Sequence, residues 1–365
     1  MQIKKQIREI IIERIQEEGP ISFHDFMTMC LYHPEHGYYT KTGNKIGAEG
    51  DFFTSCNLTA SFGAMIGKQL EEMWRIIGAQ HFTIVEYGAG TGQLCRDILA
   101  YLQNIPELYQ HLRYCIIEIS PSMRIEEQKI LKDKVGWYSS IEDIEGEIHC
   151  VISNELLDNF PVHQVIMQDE LMEVYITYDE TFKEILKPAD TELKSYFDEL
   201  KVKLPIGFRA EINLQALNWL KMVAAKLNKG FVLTIDYGGL SEELYKKHRS
   251  CGTLVCYHKH QINDDLFSNI GEQDITAHVN FSALIHWGYK EGLQNCGITS
   301  QCMFLLSLGF KEHLRQSYEN QVRDLLQILK EEAYISRTLL LDMGEKYKVI
   351  IHSKNISDVK LKGLS

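Results

Sequence analysis

The chain has 365 residues, 45% hydrophobic and 24% charged, a composition that excludes disorder and collagen-like structure. With 50 acidic against 38 basic residues the formal charge is −12, which disfavours sequence-independent nucleic-acid binding through phosphate neutralisation. No apolar run approaches the roughly 20 residues of a membrane span.

The length suits two domains, or one large α/β domain with insertions. The nine cysteines are scattered and none forms a C-x-x-C pair, so they read as reduced thiols of a cytoplasmic protein. The start, Met1-Gln-Ile-Lys-Lys5 with Glu9 and Glu13, runs into a helical pattern and resembles neither a secretory nor a transit peptide.

Ile3, Ile7, Ile10, Ile11 and Ile15 recur at helical spacing until Gly19-Pro20. Ser22-x-x-Asp25 predicts a capped second helix ending before His33-Pro34. From Gly37 to Ser55, glycines alternate with Tyr38, Tyr39, Phe52 and Phe53, the composition of a functional lid or of an irregular packed connection. From Phe82 strands and helices alternate: Phe82–Tyr87, a helix over Leu94–Leu102, Arg113–Glu118, a helix after Ser120-Pro121, Val135–Tyr138 and Ile148–Ser153. A helix near Asn213–Leu227 and the strand Phe231–Asp236 complete the run. This order predicts a parallel sheet covered on both faces. Residues 162–209 read as an insertion with two strands and a charged helix near Glu192–Lys203. Residues 238–276 read as loop-rich. The end holds a helix over Gln301–Leu308, a strand over Tyr347–His352, and a loose tail over 353–365.

The chemistry begins at Glu86-x-Gly88-x-Gly90-x-Gly92, directly between a strand and a helix. Small residues there let backbone approach a ligand, and the helix start presents free N–H groups. A dinucleotide fingerprint needs Gly-x-Gly-x-x-Gly, and Gln93 stands at its last position. A phosphate loop would end in Gly-Lys-Ser/Thr, which is absent. A cofactor without phosphates, with a ribose and an amino-acid end, suits the turn better: S-adenosylmethionine. Glu118, ending the second strand, is placed to accept two ribose hydroxyls.

After the fourth strand come Ser153-Asn154-Glu155-Leu-Leu-Asp158 and Pro161-Val-His163. Asn154 is placed to contact the cofactor. Glu155 and Asp158 are three apart, so one helical turn would set both carboxylates on one face, a pairing that suits a guanidinium. The alternative is a helix start stabilised by its acids.

These motifs carry a resemblance to a known family. They include Leu31-Tyr-His-Pro-x-x-Gly37-Tyr-Tyr39, Gly50-Asp-Phe-Phe-Thr-Ser55, Phe62-Gly63 and Glu86-Tyr-Gly-Ala-Gly-Thr-Gly92. Glu118-Ile-Ser-Pro121 with Gln128 and Ser153-Asn-Glu-Leu-Leu-Asp158 follow. The later part adds Ile235-Asp-Tyr-Gly238, Gly252-Thr-Leu254, Asp274-Ile-Thr-Ala-His-Val279 and Gln301 before Phe304. Over about residues 21–309 the chain resembles the MidA family of class I S-adenosylmethionine-dependent methyltransferases. Its mitochondrial members are arginine methyltransferases that assist complex I assembly.

The resemblance implies a Rossmann-like seven-stranded α/β sheet, with a helical N-terminal extension over 1–80. The methyltransferase core spans 81–161 and 211–352, and residues 162–210 are a β-rich and helical insertion. It implies transfer of a methyl group to a protein arginine, with Glu155, Asp158 and His163 as candidate catalytic residues. Glu86, Gly88, Ala89, Gly90, Gly92, Glu118, Ile119, Ser120, Asn154, Asp51 and Thr54 are the candidate cofactor contacts. Tyr39, Phe53, Tyr237 and His278 are the candidate walls of the target pocket. No metal is expected: His258 and His260, or Asp274 and His278, lack a third ligand at suitable spacing. The expected partner is a protein substrate, without nucleic acid or membrane, in a cytoplasmic bacterial-type protein with residues 162–209 as a candidate homodimer interface. The competing readings are methylation of a small molecule or another side chain, and a non-catalytic assembly protein retaining the fold.

Overall fold

The computed structural model describes residues 6–41, 55–131, 134–259, 261–263, 265–318 and 325–365. Contacts divide the chain into two compact units, each assembled from three segments. One contains residues 53–156, 220–237 and 287–365; the other contains 1–52, 157–219 and 238–286.

The first unit contributes seven strands to its sheet, to which the short strand Val279–Asn280 adds an eighth at Gly238-Gly239. In spatial order the seven are Val135–Tyr138, Leu112–Ile117, Phe82–Tyr87, Cys150–Asn154, Gly230–Gly239, Tyr347–Lys354 and Gln294–Ser300. The first five run parallel; Tyr347–Lys354 runs against them and against Gln294–Ser300, which therefore points the same way as the five. Phe82–Tyr87 is first in the chain yet lies centrally, so the connections wind outward from it in both directions. Ligands of open α/β sheets bind at such a reversal, beyond the carboxyl ends of the strands. The central strands Phe82–Tyr87 and Leu112–Ile117 are buried on both faces, as their near-continuous apolar runs Phe-Thr-Ile-Val and Tyr-Cys-Ile-Ile require.

The helix Ala60–Ile77 buries Phe62, Met65, Ile66, Leu70 and Met73 in the same core as Ile84, Ile116, Ile152, Leu233 and Ile351. Thr59 caps its start and Gly78 ends it in the left-handed conformation. The tail corrects one expectation, because residues 353–365 are docked. The Tyr347 strand runs on to Lys354, and a 3-10 turn follows over Lys362–Leu364. Leu361 is buried, the Gly363 N–H donates to Gln69 Oε1 at 3.1 Å, and the Lys362 N–H donates to Glu72. These side chains satisfy backbone groups that the polar tail sequence left unassigned.

The second unit joins the N-terminal helices to the insertion. Ile7, Ile11 and Ile15 of the helix Ile7–Glu18 are buried with Phe23, Phe26 and Met27 of the helix Phe23–Tyr32. Ser22 caps the second helix through the Asp25 N–H, and Ile21–Ser22 pairs with the strand Leu171–Asp179. The insertion is therefore part of a five-stranded antiparallel sheet that the N-terminal segment completes. It contains one strand more than expected, Thr181–Pro188, paired along its length with Leu171–Asp179. The stretch read as loop holds a three-stranded sheet of Val255–His258, Gln261–Asn263 and Asp274–Thr276.

Candidate active site

The parallel register carries the carboxyl ends of four strands to one edge of this sheet. Tyr87 lies opposite Ile117 and Ser153, and Ile235 opposite Asn154. The glycine turn, Glu118 and Glu155 leave the sheet there, while Asn154, Asp236 and Tyr237 lie on the strands at the same edge, Asp236 and Tyr237 still paired with Lys348 and Tyr347.

At the turn, Gly88 and Gly92 have φ of 63° and 75°. This left-handed region costs a side chain about 1–2 kcal/mol, and neither position has spare room. A Cβ on Gly88 would stand 3.0 Å from Leu156 Cδ1, and one on Gly92 would stand 3.1 Å from Leu131 Cδ1. The helix Gln93–Leu102 starts at Gly92 with no side-chain cap, leaving N–H groups facing the edge. Ala89 is buried within the turn, while Gly90 shares its left-handed backbone at φ 59°.

Glu86 is buried beneath this turn and accepts the Tyr114 hydroxyl at 2.7 Å. Burial, reinforced by the negative Glu118, pushes its carboxyl up to about 7 against the opposing Tyr114 hydrogen bond. Glu118 Oε1 accepts the Ser120 N–H at 2.6 Å, and the Ser120 hydroxyl caps the helix Pro121–Ile130 through the Met123 N–H. Ile119 between them is exposed, an apolar side chain beside the carboxylate. Gln128 is exposed on that helix; the residue turned inward is Glu127. It lies behind Gly92 and accepts the Trp137 indole N–H at 2.7 Å. Helical phase, which places 123 and 127 on one face, was the signal for it.

Glu155 follows Asn154 in a left-handed conformation, φ 53°. The expected helical turn over Glu155–Asp158 does not form; the only helical turn here is a 3-10 segment over Leu157–Asn159. The Glu155 N–H donates to Ile235 O at 2.9 Å, which continues strand pairing past the point where a helix would start. The carboxylate accepts the Ser55 N–H and the Tyr347 hydroxyl, each at 3.0 Å, and Asn154 Nδ2 at 3.4 Å. Burial pushes it up to about 7 against those three hydrogen bonds, with the nearby Asp236 adding to the rise. Asp236 is fully buried and accepts the Leu156 and Tyr237 N–H groups at 3.2 and 2.8 Å. Tyr237 lies with its ring 5.7 Å from that of Tyr347. Asp236, Tyr347 and Ser55 were not singled out as site residues in the sequence. The Ile235-Asp-Tyr-Gly238 motif pointed to Asp236, whereas Tyr347 comes from a distant strand and carried no local signal.

The remaining candidates belong to the other unit. Tyr39 stacks on Tyr32 at 5.6 Å and donates its hydroxyl to Asp274 Oδ1 at 2.8 Å. Burial raises its pKa well above the ordinary phenol value, with Asp274 and Asp158 adding to the rise. Asp158 is buried, and its backbone carbonyl accepts the Ala277 N–H. His163 faces Glu173 at 2.7 Å and stacks on His24 with ring centroids 4.6 Å apart. His278 Nδ1 lies 3.0 Å from the Arg249 guanidinium, and its N–H donates to Thr253 Oγ1. The two histidines therefore have separate partners. His258 Nδ1 meets the Glu272 carbonyl at 2.9 Å. No group of three or more His, Cys, Asp or Glu among the described residues could hold a metal. Asp51, Phe53, Thr54 and His260 lie outside the described residues.

The strand-end edge fits S-adenosylmethionine. Asn154 Oδ1 and Glu127 Oε1 are buried and accept no hydrogen bond from the described residues, so both are available for hydrogen bonding. The glycine backbone leaves space, Glu118 offers a carboxylate, and no phosphate-binding lysine is needed. Glu86, Gly88, Ala89, Gly90, Gly92, Glu118, Ser120 and Asn154 are the residues that would surround it.

Comparison with known proteins agrees. The model of a family described as S-adenosyl-L-methionine-dependent methyltransferase matches residues 65–299. The mitochondrial protein arginine methyltransferase NDUFAF7 homolog of Drosophila melanogaster is 26% identical, covering 95% of this chain and 84% of that protein. Its Caenorhabditis elegans counterpart is 28% identical over 94% and 85%. The crystal structure of a Burkholderia thailandensis protein bound to S-adenosyl-homocysteine has a TM-score of 0.88 at 29% identity, covering 98% of this chain and 94% of that one. No helix among the described residues is long and apolar enough to cross a membrane. With the family model matching residues 65–299 and the strand-end edge fitting the cofactor, the chain belongs to this family, as a MidA-type class I S-adenosylmethionine-dependent methyltransferase.

Proposed function

We propose that this methyltransferase acts on the guanidinium of an arginine in a protein substrate. The observation that carries the reading is Glu155: a carboxylate at the carboxyl end of the central strands, held in a left-handed backbone by Ser55 and Tyr347. The relatives named as protein arginine methyltransferases support it along nearly the whole chain.

S-adenosylmethionine supplies an activated methyl group on a sulfonium. The chain's own work is orientation and exclusion of water, where well-placed reactants gain about 7–11 kcal/mol. A guanidinium is planar, permanently charged and presents N–H groups in a fork that a carboxylate accepts in pairs. Glu155 would receive that fork and fix which nitrogen faces the methyl group. The arriving cation favours the ionised form of Glu155, offsetting the burial that favours its neutral acid. Asp236 keeps the Leu156 and Tyr237 backbone rigid on either side.

The test uses methyl-labelled cofactor, the purified enzyme and a lysate of the source organism lacking the gene. Labelled proteins are hydrolysed and their amino acids identified. Methylarginine with the parent enzyme, reduced at least about 100-fold with Glu155→Gln while cofactor affinity is retained, is the expected result. Label confined to small molecules or to another amino acid would replace the reading.

A further inference from the structure

The cofactor edge holds three carboxyl groups where one ribose needs a single acceptor. Glu86 lies on the strand Phe82–Tyr87, Glu118 directly follows the strand Leu112–Ile117, and Glu127 lies on the helix Pro121–Ile130. Glu118 and Glu86 both act on Glu127 as like charges, and a hydrogen bond shared with Glu118 also favours the neutral acid of Glu127. The other titratable neighbours are Tyr114, which donates to Glu86, and Cys95, whose thiol is raised first by burial and then by Glu86 and Glu127. Glu127 has no solvent exposure; Trp137 donates to Oε2, and no N–H or hydroxyl among the described residues donates to Oε1. Its Cα lies 3.4 Å from where a Cβ on Gly92 would stand, directly behind the turn.

We propose that Glu127 is a proton-holding positioning residue of the cofactor site: neutral behind the glycine turn, it leaves Glu118 as the anion for the ribose, and cofactor binding weakens when that proton is lost. Two carboxyls sharing a dry site do not both ionise. The charge belongs on Glu118, which is half-buried and receives the Ser120 N–H. Burial, then the charge of Glu118, holds Glu127 well above the usual carboxylate range, opposed by the Trp137 hydrogen bond. A cofactor covering the turn removes water that screens the pair, so the bound state holds the proton more firmly than the free state. Binding above neutral pH therefore takes up a proton. Glu86 is the rival holder, and substitution separates the two.

The probe is S-adenosylhomocysteine, which lacks the sulfonium charge, titrated into the full chain by calorimetry from pH 6.5 to 9. The parent is expected to lose about tenfold in affinity above pH 7.5, with proton uptake at pH 8.5 seen as a difference between buffers of unlike ionisation enthalpy. Glu127→Gln mimics the neutral acid; whatever its affinity at pH 7, it should lose most of the alkaline decline. Trp137→Phe removes a donor that favours the anion, so its alkaline limb should move upward by about one pH unit. The ligand's own amino group titrates equally in all three proteins and cancels between them. A flat parent profile without proton uptake overturns the proposal. So does a Glu127→Gln profile that follows the parent, which assigns the proton to Glu86. If Glu127→Gln does not fold, a Trp137→Phe limb that stays in place or moves down overturns it.

Discussion

Glu155 stands where a non-glycine backbone costs about 1–3 kcal/mol, and such strain persists only where surrounding structure over-determines it. Here the Ile235 carbonyl, the Ser55 N–H and the Tyr347 hydroxyl over-determine it. The sequence placed Glu155 after the fourth strand but read it as one side of a helical acid pair, because spacing of three cannot distinguish a helix from an extended run that bends. On the proposed role for Glu155, Tyr347→Phe gives a directional test. The hydroxyl stabilises the ionised carboxylate, so its loss raises a pKa that burial has already brought to about 7. A hydrogen bond to a charged group contributes about 1.5–3 kcal/mol, or roughly one to two pH units. The acid limb of the kcat profile should move upward by that amount, with rate recovered at higher pH. A profile that falls uniformly without moving would assign Tyr347 a packing role instead.

Elements were legible where one physical signal dominated. The strands Phe82–Tyr87 and Val135–Tyr138 lie at their expected positions, because apolar runs bounded by turn residues have few alternatives. The helix after Ser120-Pro121 likewise follows from its cap and its first-turn proline. Elements whose partners lie far along the chain were harder. Gln294–Ser300 pairs antiparallel with Tyr347–Lys354 in a polar, glycine-containing sequence that advertises no strand. Thr181–Pro188 is stabilised by cross-strand pairing rather than by apolar alternation. The tail is the clearest case, since its order comes from Gln69 and Glu72, almost 300 residues away in sequence. Leu361→Ala should therefore destabilise the protein by about 2 kcal/mol in urea unfolding, the low end for a buried leucine because a chain end relaxes easily. No change would mean that the last ten residues contribute nothing to the fold.

For the whole molecule, buried ionisable groups make stability depend on pH in two opposing ways. Glu86 and Glu155 have pKa values near 7, above the ordinary carboxyl value of 4.5, so the folded state keeps protons that the unfolded chain releases. Their contribution is fully present below pH 4.5 and is lost as pH rises to about 7. His352 works in the other direction. It is 1% exposed on the strand Tyr347–Lys354, with no hydrogen-bond partner at either ring nitrogen among the described residues, and burial lowers its pKa from 6.5 to about 4. Its neutral form is fully accommodated above pH 6.5, and the unfolded chain gains a proton first as pH falls towards 4. A gap of that size amounts to roughly 3 kcal/mol once pH is below both values. His352→Leu, of similar bulk and without a titrating group, isolates this effect from the carboxyls. Whatever its stability at pH 8, the variant should improve relative to the parent by about 2–3 kcal/mol at pH 4.5, measured by denaturant unfolding at both pH values. An equal difference at the two would mean that His352 finds water or a partner when it charges, and that acid sensitivity originates elsewhere in the fold.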